Sequence, residues 1–216
     1  MKTATAVVIV GLFVFPGCAQ RSEVYHVLPG PPSNPLLNKL RHLYPERFTM
    51  YHRVILTVRG KNYDFNGYLT RAAGDISAVG FNDLGGRLFH MTSSQQKVEV
   101  LLKPDRMPAF LLRSYVVPEL HAIFTAAISG ARIARSTNAE IVMIHGRRKI
   151  QYIFSSSLQR CHTIIISEGS EKISVIQLRD YEMFAGWNQD VPQTIAVFNR
   201  KWNYQMTLRL LQIKPS

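Results

Sequence analysis

The chain has 216 residues, enough for one domain with a real core. Its 26 Lys and Arg outnumber 14 Asp and Glu, a formal charge of +12 that points to anionic partners. Two cysteines are too few for a disulfide framework.

The first stretch is Met1-Lys2 and then an apolar run, Thr5 to Cys18, reading TAVVIVGLFVFPGC. A basic start and a short apolar core are the plan of a secretory leader. The run is shorter than the ~20 apolar residues that a bilayer-spanning helix needs. Its end, Gly17-Cys18, resembles a bacterial lipobox. That resemblance implies a signal peptide over residues 1–17 and acylation of Cys18 with palmitate-type chains. An ordinary secretory signal cut nearby, or an uncleaved anchor, are the alternatives. Each buried acyl methylene contributes about 0.8 kcal/mol, so several chains hold a body firmly at a membrane. In Gram-negative lipoproteins an Asp after the acylated Cys favours the inner membrane. Here the residue is Ala19, which favours the periplasmic side of the outer membrane.

An exported chain rarely meets nucleic acid, so none is expected as a partner. Anionic lipid headgroups, lipopolysaccharide phosphates or an anionic polymer fit the charge better; a basic surface without a partner is the plain alternative. With Cys18 acylated, Cys161 has no partner in the chain. It precedes the apolar run His162-Thr163-Ile164-Ile165-Ile166 and reads as a small buried hydrophobe.

Residues 18–35 read as the acylated Cys and a tether, stiffened by Pro29-Gly30-Pro31-Pro32 and Pro35 to about 3.1 Å per residue in polyproline form. Residues 36–216 then read as a single domain. Asn34-Pro35 offers an N-cap and a first helical position. Leu36, Leu37, Leu40 and Leu43 predict a short amphipathic helix that ends before Pro45.

From Tyr51 the period changes to two. Val54, Leu56 and Val58 alternate with polar residues, and Gly60-Lys61-Asn62 turns into Tyr63, Phe65, Gly67 and Leu69. Further strands are predicted over Asp75–Phe81, Arg87–Thr92 and Lys97–Lys103. These short alternating runs with polar turns describe an antiparallel meander with one wet face. Helices follow over Met107–Tyr115 and Pro118–Ser129, the second ended by Gly130. Strands resume near Glu140, at Ile141–His145, Ile150–Phe154, Thr163–Ser167 and Ile173–Leu178. Asp180–Pro192 reads as loop, and Ile195–Phe198 and Tyr204–Leu210 close the pattern. The total is about 10–11 strands in an α+β, mainly antiparallel fold.

Gly-x-Ser-x-Gly, His-Glu-x-x-His and Walker motifs are absent from the sequence. The seven histidines include no i, i+4 pair and no metal-ligand spacing with Cys. His90 and His145 fall on strands, as ordinary surface or core residues. The carboxylates are dispersed. The chain is therefore expected to be no enzyme and to hold no metal or cofactor.

The order of elements resembles the LolA/LolB superfamily of periplasmic lipoprotein carriers, and more narrowly LolB-like lipoproteins of unknown function. The stretches that carry the resemblance are Phe65-Asn66-Gly67-Tyr68-Leu69, Asp83-Leu84-Gly85-Gly86-Arg87-Leu88-Phe89, Leu101 to Leu112 and Tyr204-Gln205-Met206-Thr207-Leu208. It implies an incomplete, half-open β-barrel whose mouth is covered by helices, with an apolar cavity for acyl chains of lipids or lipoproteins. LolB-like proteins insert an apolar loop residue into the membrane; Leu84 occupies a similar hairpin tip. Folding of Leu84 back onto the sheet is the alternative. Phe110, Leu111, Leu120, Ile123 and Phe124 are the candidates for the lid side of the cavity. Their spacing guarantees an apolar stripe, and the resemblance places a ligand against it. The other reading is an accessory lipoprotein that uses the same fold as a scaffold for protein partners.

Overall fold

The computed structural model describes residues 35–72, 74–94, 97–103, 107–125, 131–157, 160–184 and 190–215. The expected leader, Cys18, Ala19 and the tether up to residue 34 lie outside the described residues. So do residues 126–130, at the expected end of the second helix.

Helix α1 (Pro35–Arg41) buries Leu36, Leu37 and Leu40. The meander follows as β1 (Arg47–Val58), β2 (Lys61–Ala72), β3 (Asp75–Phe81), β4 (Arg87–Ser93) and β5 (Val98–Leu102). Period-two alternation decides which side chains go inside. On β1, Phe48, Met50, His52, Val54 and Leu56 face inwards. The second half holds β6 (Arg132–Ser136), β7 (Glu140–His145), β8 (Arg148–Phe154), β9 (Cys161–Glu168), β10 (Glu171–Met183), β11 (Asp190–Asn199) and β12 (Tyr204–Pro215).

All twelve strands form one antiparallel sheet in the order β5-β4-β3-β2-β1-β12-β11-β10-β9-β8-β7-β6. Strands β1 and β12 pair, so the first and last strands meet in mid-sheet. The free edges, β5 and β6, come from the middle of the sequence. They do not pair with each other, and the barrel stays open there.

Between β5 and β6 the chain runs as one helical segment: α2 (Ala109–Leu111), a wide π-helical turn over Leu112–Val116, and α3 (Val117–Phe124). The sequence predicts two helices broken before Pro118. Pro118 has no N–H, so the Ser114 carbonyl loses the donor an α-helix would give it. The wide turn accommodates the ring, with Val117 N–H donating to Leu112 O. Arg148 of β8 then donates to Ser114 O at 2.7 Å.

The last helical carbonyls are held by side chains from opposite parts of the sheet. Arg71 of β2 donates to Phe124 O at 2.7 Å, and Tyr152 of β8 donates to Ala122 O at 3.1 Å. Tyr44 packs tilted against Phe48 and edge-on against Phe124, with ring centroids 5.5 and 4.9 Å away. The helix thus lies within the curl of the sheet, fixed at its end by both halves.

Two further differences from the sequence pattern have local causes. Strand β6 was not expected: it is an edge strand rich in arginine, irregular between Ile133 and Arg135, with weak alternation. Strands β10 and β11 run into the stretch expected as loop and pair at Tyr181–Pro192 and Met183–Asp190. Asp180, at φ 53°, interrupts the pattern without ending the pairing.

Candidate functional site

Inside the curl, between β1–β4, β12 and the helical segment, lies an apolar cavity of about 170 Å³. Val54, Leu56, Phe65, Met91, Leu120 and Leu208 are among its walls. The helix contributes Leu112, Val116 and Leu120, one turn apart on one face. Met91, Met107 and Met206 add flexible walls that can repack around an occupant. Tyr63, Leu88 and Phe89 are only partly buried and mark its more open side. A recess of about 160 Å³ adjoins that side, sharing Tyr63 and Met107 and adding Arg59 and Lys61. An apolar interior thus abuts a cationic rim.

His52 is the polar exception in the cavity wall, 4% exposed. Burial pushes its pKa down to about 4 and outweighs the Met50 backbone, which pulls it up, so the ring is neutral at pH 7. Its Nδ1 makes no well-formed hydrogen bond, although the Met50 backbone lies close enough to the ring to act on it.

Of the five lid candidates, Leu120 lines this cavity. Leu111, Ile123 and Phe124 are buried in the core without being among its lining residues. Phe110 is 44% exposed and packs edge-on against Trp202, with centroids 4.7 Å apart. The inward residues of β1, β2 and β12 that form half of the wall were visible in the sequence only as strand alternation.

Leu84 stands at the tip of the β3–β4 hairpin, 95% exposed. The Asn82 side chain accepts from Leu84 N–H at 3.1 Å and from Gly86 N–H at 2.7 Å, and Gly85 takes φ +80°. This built turn holds the leucine outwards. The β1–β2 hairpin, with Arg59 and Lys61 near its tip, turns at the same end of the sheet.

A second recess, about 190 Å³, lies where α3 faces Ser93 and Val98 on one side and His145 and Ile150 on the other. Ser93 Oγ and His121 Nε2 are 2.7 Å apart. Burial lowers the His121 pKa. The other ring nitrogen faces Thr125 Oγ1 at 3.5 Å, where a hydrolytic triad has a carboxylate. Ser93 is itself buried, and the pair reads as a tie between β4 and α3. Burial pushes the Cys161 thiol up to about 12, which leaves it a packing residue. Among the described residues no cluster of metal-ligating side chains occurs, and no helix is long and apolar enough to cross a membrane.

No family model and no curated protein matches the chain. Solved structures do. A LolA superfamily protein from Nitrosomonas europaea aligns with a TM-score of 0.58 at 12% identity, over 84% of this chain and 92% of its own. A DUF1329 family protein from Desulfovibrio piger aligns with a TM-score of 0.51 at 7% identity, over 84% of this chain and 90% of its own. The open twelve-stranded sheet curled around a central helix is thus a LolA-like fold, shared with that LolA superfamily protein.

Proposed function

We propose that the chain is a lipoprotein of the Gram-negative envelope that binds acyl chains of lipids or lipoproteins in its apolar cavity. Cys18 anchors it, and Ala19 directs it to the periplasmic side of the outer membrane. The observation that supports this best is the cavity itself, bounded almost wholly by carbon, where burial of apolar area is the driving force for binding. Arg59 and Lys61 at its rim suit an anionic headgroup, and Leu84 is the candidate membrane contact.

The direct test is titration of the purified protein with a fluorescent fatty-acid probe, together with mass spectrometry of its organic extract. Saturable binding and a co-purifying lipid are expected; neither would remain if the fold is only a frame. The anchor is tested by metabolic labelling with a palmitate analogue, which Cys18→Ser should abolish. Ala19→Asp should move the protein to inner-membrane fractions on a density gradient.

One observation favours a second reading, an accessory lipoprotein that serves as a protein scaffold. An apolar cavity of about 150 Å³ takes one benzene. At about 170 Å³, this one holds a short stretch of one chain, and most of the helix face is already packed. Longer chains require the methionine walls to move. Probe affinity that rises with chain length beyond six carbons would support the carrier; affinity that peaks there would support the scaffold.

A further inference from the structure

His52 is an odd wall for a site that takes hydrocarbon alone. A polar atom left without a good partner out of water is costly, and a leucine would fill the same inward position without that cost. The ring is also specifically accommodated. Gly67 lies directly across from His52 in the β1–β2 register. A Cβ at Gly67 would come within 2.8 Å of His52 Nε2, so the missing side chain makes the space in which the imidazole lies. On its other side β12 bulges, and the register shifts between Tyr51 and His52. Apolar side chains continue on both sides of it. Val54, Leu56 and Phe65 lead towards Tyr63, and Leu69, Ala78 and Met91 lie beyond.

We infer that the cavity takes an acyl chain carrying an uncharged carbonyl, as in an ester or amide linkage, and that His52 donates to that carbonyl from Nδ1. This rests on the acyl-binding reading above and adds the polar group of the ligand and its position. The carbonyl is uncharged because the surrounding walls offer no cation, and a carboxylate facing a neutral imidazole there would be desolvated without a counter-charge. Burial keeps the ring in the neutral form, with one N–H to give. Leu56 is four residues from His52 along β1, so the carbonyl sits about 13 Å inside the Leu56–Tyr63 level. Carbon lies before and after it, as the lining requires.

The experiment compares two probes, butyl butanoate and n-octane, as competitors for a fluorescent fatty acid on the purified full chain. It is run on the wild type, His52→Leu and His52→Gln, each confirmed folded by circular dichroism. The imidazole nitrogens of labelled histidine are followed by NMR in parallel. The expected result is that His52→Leu lowers the ester-to-octane affinity ratio about three- to tenfold, the worth of one net hydrogen bond. His52→Gln, which keeps a donor, should retain most of the ratio, and the His52 Nδ1 resonance should move with the ester and not with octane. If both probes bind and the ratio is the same in all three proteins, the carbonyl assignment is overturned while the apolar site stands. If neither probe competes, the acyl-binding reading itself is overturned, and this inference with it.

Discussion

Asn199 donates its side-chain N–H to Glu119 Oε1 at 3.0 Å, which ties β11 to the middle of the helical segment. Ser174 of β10 donates to the same oxygen at 2.5 Å, and the Tyr204 hydroxyl of β12 donates to Oε2. Three neutral donors from three neighbouring strands thus hold one buried carboxyl. Desolvation outweighs them and raises the Glu119 pKa above its ordinary value of 4.5. A raised acid binds its proton more tightly in the folded state than in the unfolded one. Its contribution to stability is therefore complete below pH 4.5 and is lost as the pH rises through the folded value. Glu119→Gln removes the charge and keeps the shape. Thermal melts followed by circular dichroism should show the variant melting higher than wild type at pH 7 and alike at pH 4. A lower melting point at pH 7 would mean that the three hydrogen bonds to the ionised form outweigh its burial.

Leu84 should matter at a membrane and not in the fold. Its side chain is almost fully exposed, while the turn around it is held by Asn82 and Gly85. Leu84→Glu should change stability by no more than about 0.5 kcal/mol. It should lower co-sedimentation with vesicles of mixed zwitterionic and anionic phospholipid, more than Arg87→Gln does on the same hairpin. Equal binding by wild type and Leu84→Glu would remove the membrane role.

The strand half of the fold was legible because period-two alternation is a local signal. Residues 75–81 and 87–92 follow it almost to the residue, and there the structure puts β3 and β4. Where a strand's side chains are set by an edge, as on β6, the alternation fades and the strand is invisible. The helical stretch misled at Pro118, because proline announces a break and the cure for it, Arg148, sits thirty residues away in sequence. The cavity was the least legible part. A helical stripe such as Leu111, Leu120, Ile123 and Phe124 looks the same whether it faces packed core or empty space. What the sequence did contain was His52, an ionisable residue in phase with Met50, Val54 and Leu56. Such a break in an inward apolar stripe was the available signal, and its meaning depended on Gly67 across the register.

Ala78 offers a way to close the cavity without touching its polar group. It is buried on β3 and is the smallest side chain in the wall. Ala78→Leu places three more carbons into the empty space. Filling a void tends to leave stability unchanged or raise it when the new side chain meets no clash. The expected outcome is a fatty-acid probe affinity at least about tenfold weaker with a melting temperature no lower than wild type. Unchanged affinity would move the binding site to the recess beside His121.

His52 predicts the acid side of the stability profile. Its pKa falls from 6.5 in the unfolded chain to about 4 in the folded one, because burial penalises the charged ring. Between those values the unfolded state binds a proton that the folded state does not, so stability rises with pH across that window. The folded protein therefore loses stability as the pH drops from 6.5 towards 4, by about 3 kcal/mol if the whole shift is realised. Glu119 acts in the opposite direction over part of this range, so the wild-type curve alone mixes the two. The difference between wild type and His52→Leu isolates the imidazole. Urea titrations at pH 7, 5.5 and 4.5 should show the leucine variant gaining on wild type at each step down in pH. A difference that stays constant across the three would mean that the ring finds a partner or water when protonated, and that the cavity around it is wetter than its walls suggest.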